Sequence, residues 1–233
     1  MHPELDPDVA WVAQLAGVEL GMAEEAAAVA AGRRSLYRHL EREHTAAGRE
    51  SYVEIDAPLE LHSLVRLMRP LHVVEVGVSS GVSSAYLLDA LEENGRGTLH
   101  SVDLPQHPRP RRGRPARPKV SWSLPPGRVS GWAVPFALRK RWDLRLGDKA
   151  VVLPLLADEL PKVDLMVYDV PHRDATSRTE FGKLDPRMPS GSVAIVDHGP
   201  TGGLCDALRR WGATRHARPV RRSGLGLFGV RFP

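Results

Sequence analysis

The sequence predicts an α/β fold: an open, mostly parallel sheet of seven strands behind a helical N-terminal segment, closed by an antiparallel C-terminal strand. Three observations carry that reading. Beyond residue 70, short apolar runs alternate with stretches of helical periodicity, the pattern of parallel strands covered on both faces. The first of these runs enters a glycine-bearing turn, Gly77 to Gly81, that opens a helix. Residues 7–46 instead carry alanine, glutamate and leucine at helical spacing.

Taken in order, residues 7–46 read as helix. A polar break with Gly48 follows, and Asp56 offers an N-cap before Pro58 in the first turn of the next helix. There Leu61, Leu64, Val65 and Met68 form an i, i+3, i+4, i+7 stripe ending at Pro70. Residues 72–77 read as the first strand, 82–93 as its helix and 98–103 as the second strand. The Pro-, Arg- and Gly-rich stretch 105–131 is too long for an ordinary connection and reads as an insertion. Helical character resumes over 132–142. Strands are expected at 144–146, 163–169 and 192–197, with helices at 150–160, 175–182 and 204–211. The segments 216–220 and 225–232 are expected to pair as a terminal hairpin. This gives a helical segment, residues 1–55, and one domain over 56–233.

Composition excludes several classes of protein. No run approaches the roughly 18 apolar residues of a membrane span, and the first residues lack the basic and apolar regions of a signal peptide, so a cytoplasmic location is expected. A single cysteine, Cys205, excludes an internal disulfide framework and a Cys-rich zinc site. The net charge of +4 is unevenly spread. Between Asp103 and Asp143 there is no acidic residue, while Arg109, Arg111, Arg128, Arg139 and Arg141 are among the bases found there. The positive charge therefore belongs to the insertion, which reads as a solvated loop, a lid over an acidic or phosphorylated substrate, or a nucleic-acid contact with Trp122 or Trp132 for stacking.

In an open α/β sheet, ligands bind at the carboxyl ends of the strands. The first strand ends Glu75-Val76-Gly77-Val78-Ser79-Ser80-Gly81, an acid two residues before a G-x-x-x-G turn. Glycines there let backbone approach a ligand, and the helix N-terminus offers N–H groups to a carboxylate. The turn is neither the G-x-G-x-x-G of nicotinamide binders nor a lysine-bearing phosphate cradle. It suits a ligand that lacks phosphate and carries positive charge beside a carboxylate, as S-adenosylmethionine does. Asp103 ends the second strand, where a carboxylate can accept ribose hydroxyls. Gly147-Asp148 follows the third, within reach of an adenine amino group, and Asp169 ends the fourth beside the expected sulfonium. Taken singly, each glycine also reads as a tight turn and each acid as a helix cap.

Together, Glu75-x-Gly77-x-x-x-Gly81, Asp103, Gly147-Asp148 and Asp169 resemble the cofactor motifs of class I S-adenosylmethionine-dependent methyltransferases. Pro189-Ser190-Gly191 resembles the turn before their fifth strand. The resemblance runs from about residue 56 to the C-terminus and implies a Rossmann-like methyltransferase fold. Asp169-x-x-His172, Glu180-Phe181 and Val196-Asp197-His198 are similar to the small-molecule O-methyltransferase and cephalosporin-hydroxylase-like group. That group implies methyl transfer from S-adenosylmethionine to an oxygen, less readily a nitrogen, of a small-molecule acceptor. It implies cofactor contacts at Glu75, Gly77, Ser79, Gly81, Asp103, Asp148 and Asp169, and Mg²⁺ or another divalent metal at Asp169, Asp197 and His198. Histidine replaces the group's oxygen donor at 198, and imidazole suits transition metals better than magnesium. His172 is the candidate general base, with Asp169 beside it. The alternatives are an RNA methyltransferase using the basic insertion, and a binding module that has lost turnover. The resemblance further implies that residues 1–55 act as a cap or dimer contact, and a homo-oligomer is expected on that ground.

Overall fold

The computed structural model describes residues 7–48, 58–105, 124–125, 127–170, 174–197, 203–222 and 227–233. The helices are α1 (Val9–Ala16), α2 (Leu20–Ala31), α3 (Arg34–Ala46), α4 (Pro58–Met68), α5 (Val82–Glu93), α6 (Lys149–Glu159), α7 (Asp174–Leu184) and α8 (Gly203–Thr214). The strands are β1 (His72–Val76), β2 (Thr98–Asp103), β3 (Trp142–Leu146), β4 (Leu165–Tyr168), β5 (Val193–Asp197), β6 (Val220–Arg221) and β7 (Leu227–Arg231). They form one seven-stranded sheet in the order β3-β2-β1-β4-β5-β7-β6. The pairs among β1 to β5 are parallel, and β7 runs antiparallel to both β5 and β6. The order reverses direction between β1 and β4, where such sheets open a ligand crevice. Among the described residues no helix is long and apolar enough to cross a membrane.

Side chains alternate across the sheet with period two, and each face buries its own core. Val73, Leu165, Val167, Val193 and Ile195 point to the side covered by the N-terminal helices and α5. Val74, Val76, Met166, Tyr168, Ala194 and Val196 point to the side of α6, α7 and α8. Trp11 and Leu15 of α1 belong to the first core, and the Trp11 indole N–H donates to Val220 O at 3.0 Å. Glu60 of α4 forms a buried ion pair with Arg222 beyond β6.

Three expectations need correction. The segment 7–46 is three helices: Gly17, at φ +68°, closes α1 in the left-handed conformation, and Arg33 breaks α2 from α3 as its guanidinium reaches Asp89 and Glu93 on α5. Residues 132–142 are not one helix. Pro135 lacks the N–H that a continuing ladder needs, only Phe136–Arg141 turns, as a 3₁₀ helix, and Trp142 already belongs to β3. The strand expected at 216–220 shrinks to Val220–Arg221, because His216 sits at φ +57° in the turn after α8.

Candidate functional site

Two glycines shape the turn that leaves β1. Gly77 has φ +93°, and a Cβ there would lie 1.8 Å from Asp169 O, so only glycine lets the exits of β1 and β4 run this close. Backbone bonds join the neighbouring exits: Gly77 N–H donates to Val102 O at 2.9 Å and Asp169 N–H to Val76 O at 2.8 Å. Gly81, at φ +94°, precedes α5, and no side chain caps that helix. Its first N–H groups are therefore suited to an anionic ligand group.

Asp103 reaches this turn from β2. One carboxylate oxygen accepts the Ser79 N–H at 3.1 Å and the other the Leu104 N–H at 2.8 Å. Each oxygen keeps a second lone pair for a ligand hydroxyl. Leu104, the next residue, is 55% exposed, an apolar side chain left bare at the carboxyl end of the sheet. Position alone gave no reason to single it out in the sequence.

Glu75 lies elsewhere than a direct ligand contact would require. It is 1% exposed, beneath the turn, and accepts hydroxyl hydrogen bonds from Ser83 at 2.6 Å, Ser84 at 2.6 Å and Ser101 at 2.7 Å. Burial pushes its carboxyl above the usual range, and the three hydroxyls pull the other way. Trp142 Nε1–H donates to Ser101 Oγ at 2.8 Å, so the chain of bonds extends to β3. Within this structure Glu75 fixes the start of α5 against β2.

Asp148 is the N-cap of α6, accepting the Ala150 N–H at 2.9 Å. Asp169 and Asp197 leave adjacent parallel strands at matching register, one step beyond the Tyr168–Val196 pair. His172 and His198 lie outside the described residues, as do Asp56 and most of the basic insertion. Four of the insertion region's described bases have partners within the chain. Arg128 lies over the Trp132 ring, Arg139 donates to the Gly131 and Val134 carbonyls, and Lys140 and Arg141 pair with Glu92.

Two polar clusters were not anticipated. Tyr168, Lys149 and Glu180 meet between β4, α6 and α7, with Lys149 Nζ 2.7 Å from Glu180 and the Tyr168 hydroxyl bonded to the same carboxylate. Burial, then the Glu180 carboxylate, drives the phenol's pKa upward. His62, Asp89 and Glu93 form the one group of three metal-type donors found among the described residues. Arg33 and Arg66 already pair with its carboxylates, which makes it a charge-compensated latch between the N-terminal helices and α5. Both clusters join residues far apart in sequence, and no local pattern announces them.

The sequence model of the methyltransferase domain family matches residues 74–198, more than half of the chain. The chain belongs to the methyltransferase domain family. The matched span holds the glycine turn, Asp103, Asp148, Asp169 and Asp197, and leaves α1 to α4, α8, β6 and β7 outside. No curated protein matches the sequence. Solved methyltransferases share the fold of this family member. The SAH-bound methyltransferase PaMTH1 of Podospora anserina superposes with a TM-score of 0.53 at 14% identity, over 85% of this chain and 87% of that one. The O-methyltransferase TomG of Streptomyces achromogenes, involved in tomaymycin synthesis and solved with SAM, gives 0.55 at 17%, over 84% and 88%. An O-methyltransferase from Bacillus cereus in complex with SAH gives 0.52 at 14%, over 85% and 90%.

Proposed function

We propose that the chain transfers the methyl group of S-adenosylmethionine to an oxygen of a small-molecule acceptor. The observation that carries this is the close approach of Gly77 to Asp169 beside an uncapped helix N-terminus. Both lie at the sheet's switch point, and the turn itself, residues 77–81, carries no lysine of the kind that cradles phosphates. When bound, the sulfonium supplies an already activated methyl group, so the protein's main task is alignment, worth at most roughly 7–11 kcal/mol.

The chain's residues divide that task. The α5 N-terminus and the glycine turn take the amino-acid end, and Asp103 accepts the ribose hydroxyls on its remaining lone pairs. The turn before α6 bears on the base. Asp169 faces the sulfonium end, and its charge favours a cation there. Deprotonation of the acceptor falls to His172, and Asp169 and Asp197 would hold a divalent cation, which would lower the acceptor pKa. These two carboxylates are oxygen donors of the kind such a cation takes.

Arg139, Lys140 and Arg141, which follow the insertion, bond to backbone carbonyls or to Glu92, and this supports a small acceptor over RNA at that segment. Calorimetry with S-adenosylmethionine and SAH tests the cofactor assignment, with Asp103→Ala expected to weaken both. Failure of both ligands to bind the unmodified protein removes the proposal. Turnover of a hydroxyl-acceptor panel, with and without EDTA, tests the oxygen and metal assignments.

A further inference from the structure

The glycine turn is gripped from its outer side by two elements. His44 of α3 is 1% exposed, and its Nδ1 lies 2.8 Å from Leu40 O. A carbonyl can only accept, so Nδ1 carries the proton and Nε2 is left as the acceptor. Nε2 is 2.9 Å from Ser80 Oγ, so the Ser80 hydroxyl donates to His44. The second element is the segment 131–134. Gly131 N–H donates to Ser79 O at 2.8 Å and Ala133 N–H to Ser80 O at 3.0 Å. The two elements are themselves tied: His39 Nε2 lies 3.0 Å from Ala133 O, and the Trp132 ring packs 4.9 Å from that of His44.

The grip matters because of what the turn must do. Ser79 sits at φ +50°, a conformation costly for any residue with a side chain, and Asp103 binds its N–H. A turn holding such a residue keeps its shape only when its surroundings enforce it. Removing the Ser80–His44 bond takes away the side-chain tie between the turn and α3, so the relaxed turn gains population. Apparent affinity for a ligand that needs the ordered turn falls by the fraction still ordered.

We infer that His44 is a positioning residue of the cofactor site, holding the glycine turn through Ser80, so that this one side chain of the N-terminal helical segment serves cofactor binding. The inference rests on the S-adenosylmethionine reading above. It assigns a task to α3, which lies outside the matched family span and bears no cofactor motif.

A double-mutant cycle tests it, with SAH as the calorimetric probe. His44→Ala and Ser80→Ala each raise Kd about tenfold, equivalent to about 1.4 kcal/mol, and the double variant is no weaker than either single one. Amide exchange over residues 77–84 quickens in each variant. Leu36→Ala, which loosens the same helix without touching Ser80, leaves Kd unchanged and separates positioning from general instability. Ser80→Ala keeps the test open should His44→Ala fold poorly. Unaltered SAH affinity in both singles, multiplicative losses in the double, or an equal loss in Leu36→Ala overturns the inference while the cofactor reading stands. An unmodified protein that binds neither SAH nor S-adenosylmethionine overturns the cofactor reading itself.

Discussion

Gly77→Ala isolates the geometry on which the cofactor crevice depends. The substitution imposes two separable costs. A side chain at φ +93° is strained by about 1–2 kcal/mol, and the overlap with Asp169 O at 1.8 Å and Val170 Cγ1 at 2.9 Å adds about 1–3 kcal/mol of overpacking. The total, about 2–5 kcal/mol, lowers the melting temperature by about 5–15 °C in a chain of this size. To restore ordinary contact, near 3.5 Å between carbons, the β4 exit must retreat by more than about 1 Å. A displacement of that size at a site that works by alignment costs on the order of 10²-fold. Gly95→Ala provides the control: Gly95 also has a positive φ, +67°, but nothing lies within 4 Å of its would-be Cβ. That variant shows the strain without the overlap, so its melting temperature falls slightly and its SAH affinity stays constant. Calorimetry and thermal denaturation on both proteins make the comparison. A Gly77→Ala protein that binds SAH as tightly as Gly95→Ala does refutes the reasoning.

Further outcomes are expected at other positions. Arg222→Ala strands the buried Glu60 carboxylate and costs about 3–5 kcal/mol in urea denaturation, most of which Glu60→Leu in the same chain recovers. Burial, with the neighbouring His100 adding to it, holds the His72 imidazole below its usual value, so the folded protein takes up that proton later than the unfolded chain as pH falls. Stability present above about pH 6.5 is therefore lost on acidification, and melts at pH 7.5 and 5.5 show a drop that His72→Gln diminishes. Asp148→Ala removes the α6 cap at a cost of about 1 kcal/mol. Asp148→Ser keeps the cap and the stability, so any weakening of SAH binding in the serine variant measures the carboxylate's own contact with the ligand. EDTA abolishes turnover of hydroxyl acceptors without changing SAH affinity, and Asp197→Ala gives a protein whose residual turnover no longer responds to EDTA.

What the sequence alone determined are the features whose cause is local. Alternating and continuous apolar runs dictate which segments can be strands between covered faces, and the observed strands overlap all seven expected ones. Gly77 and Gly81 were recognisable because a turn bending into a helix next to another strand tolerates no Cβ, a constraint on residue type itself. Asp103, Asp169 and Asp197 were placed at the carboxyl ends of their strands by the same logic, since a strand's last residue lies at that edge of an open sheet whatever packs around it. Only the tertiary structure decided that β7 enters between β5 and β6, that Glu75 is enclosed by three serines, and that Asp148 caps α6. It also made the pairings of His44 with Ser80, Glu60 with Arg222, and Lys149 with Glu180. These partners stand 36, 162 and 31 residues apart along the chain. Their attraction is too short-ranged to act until burial of the apolar faces has brought the helices together, so no local pattern records it.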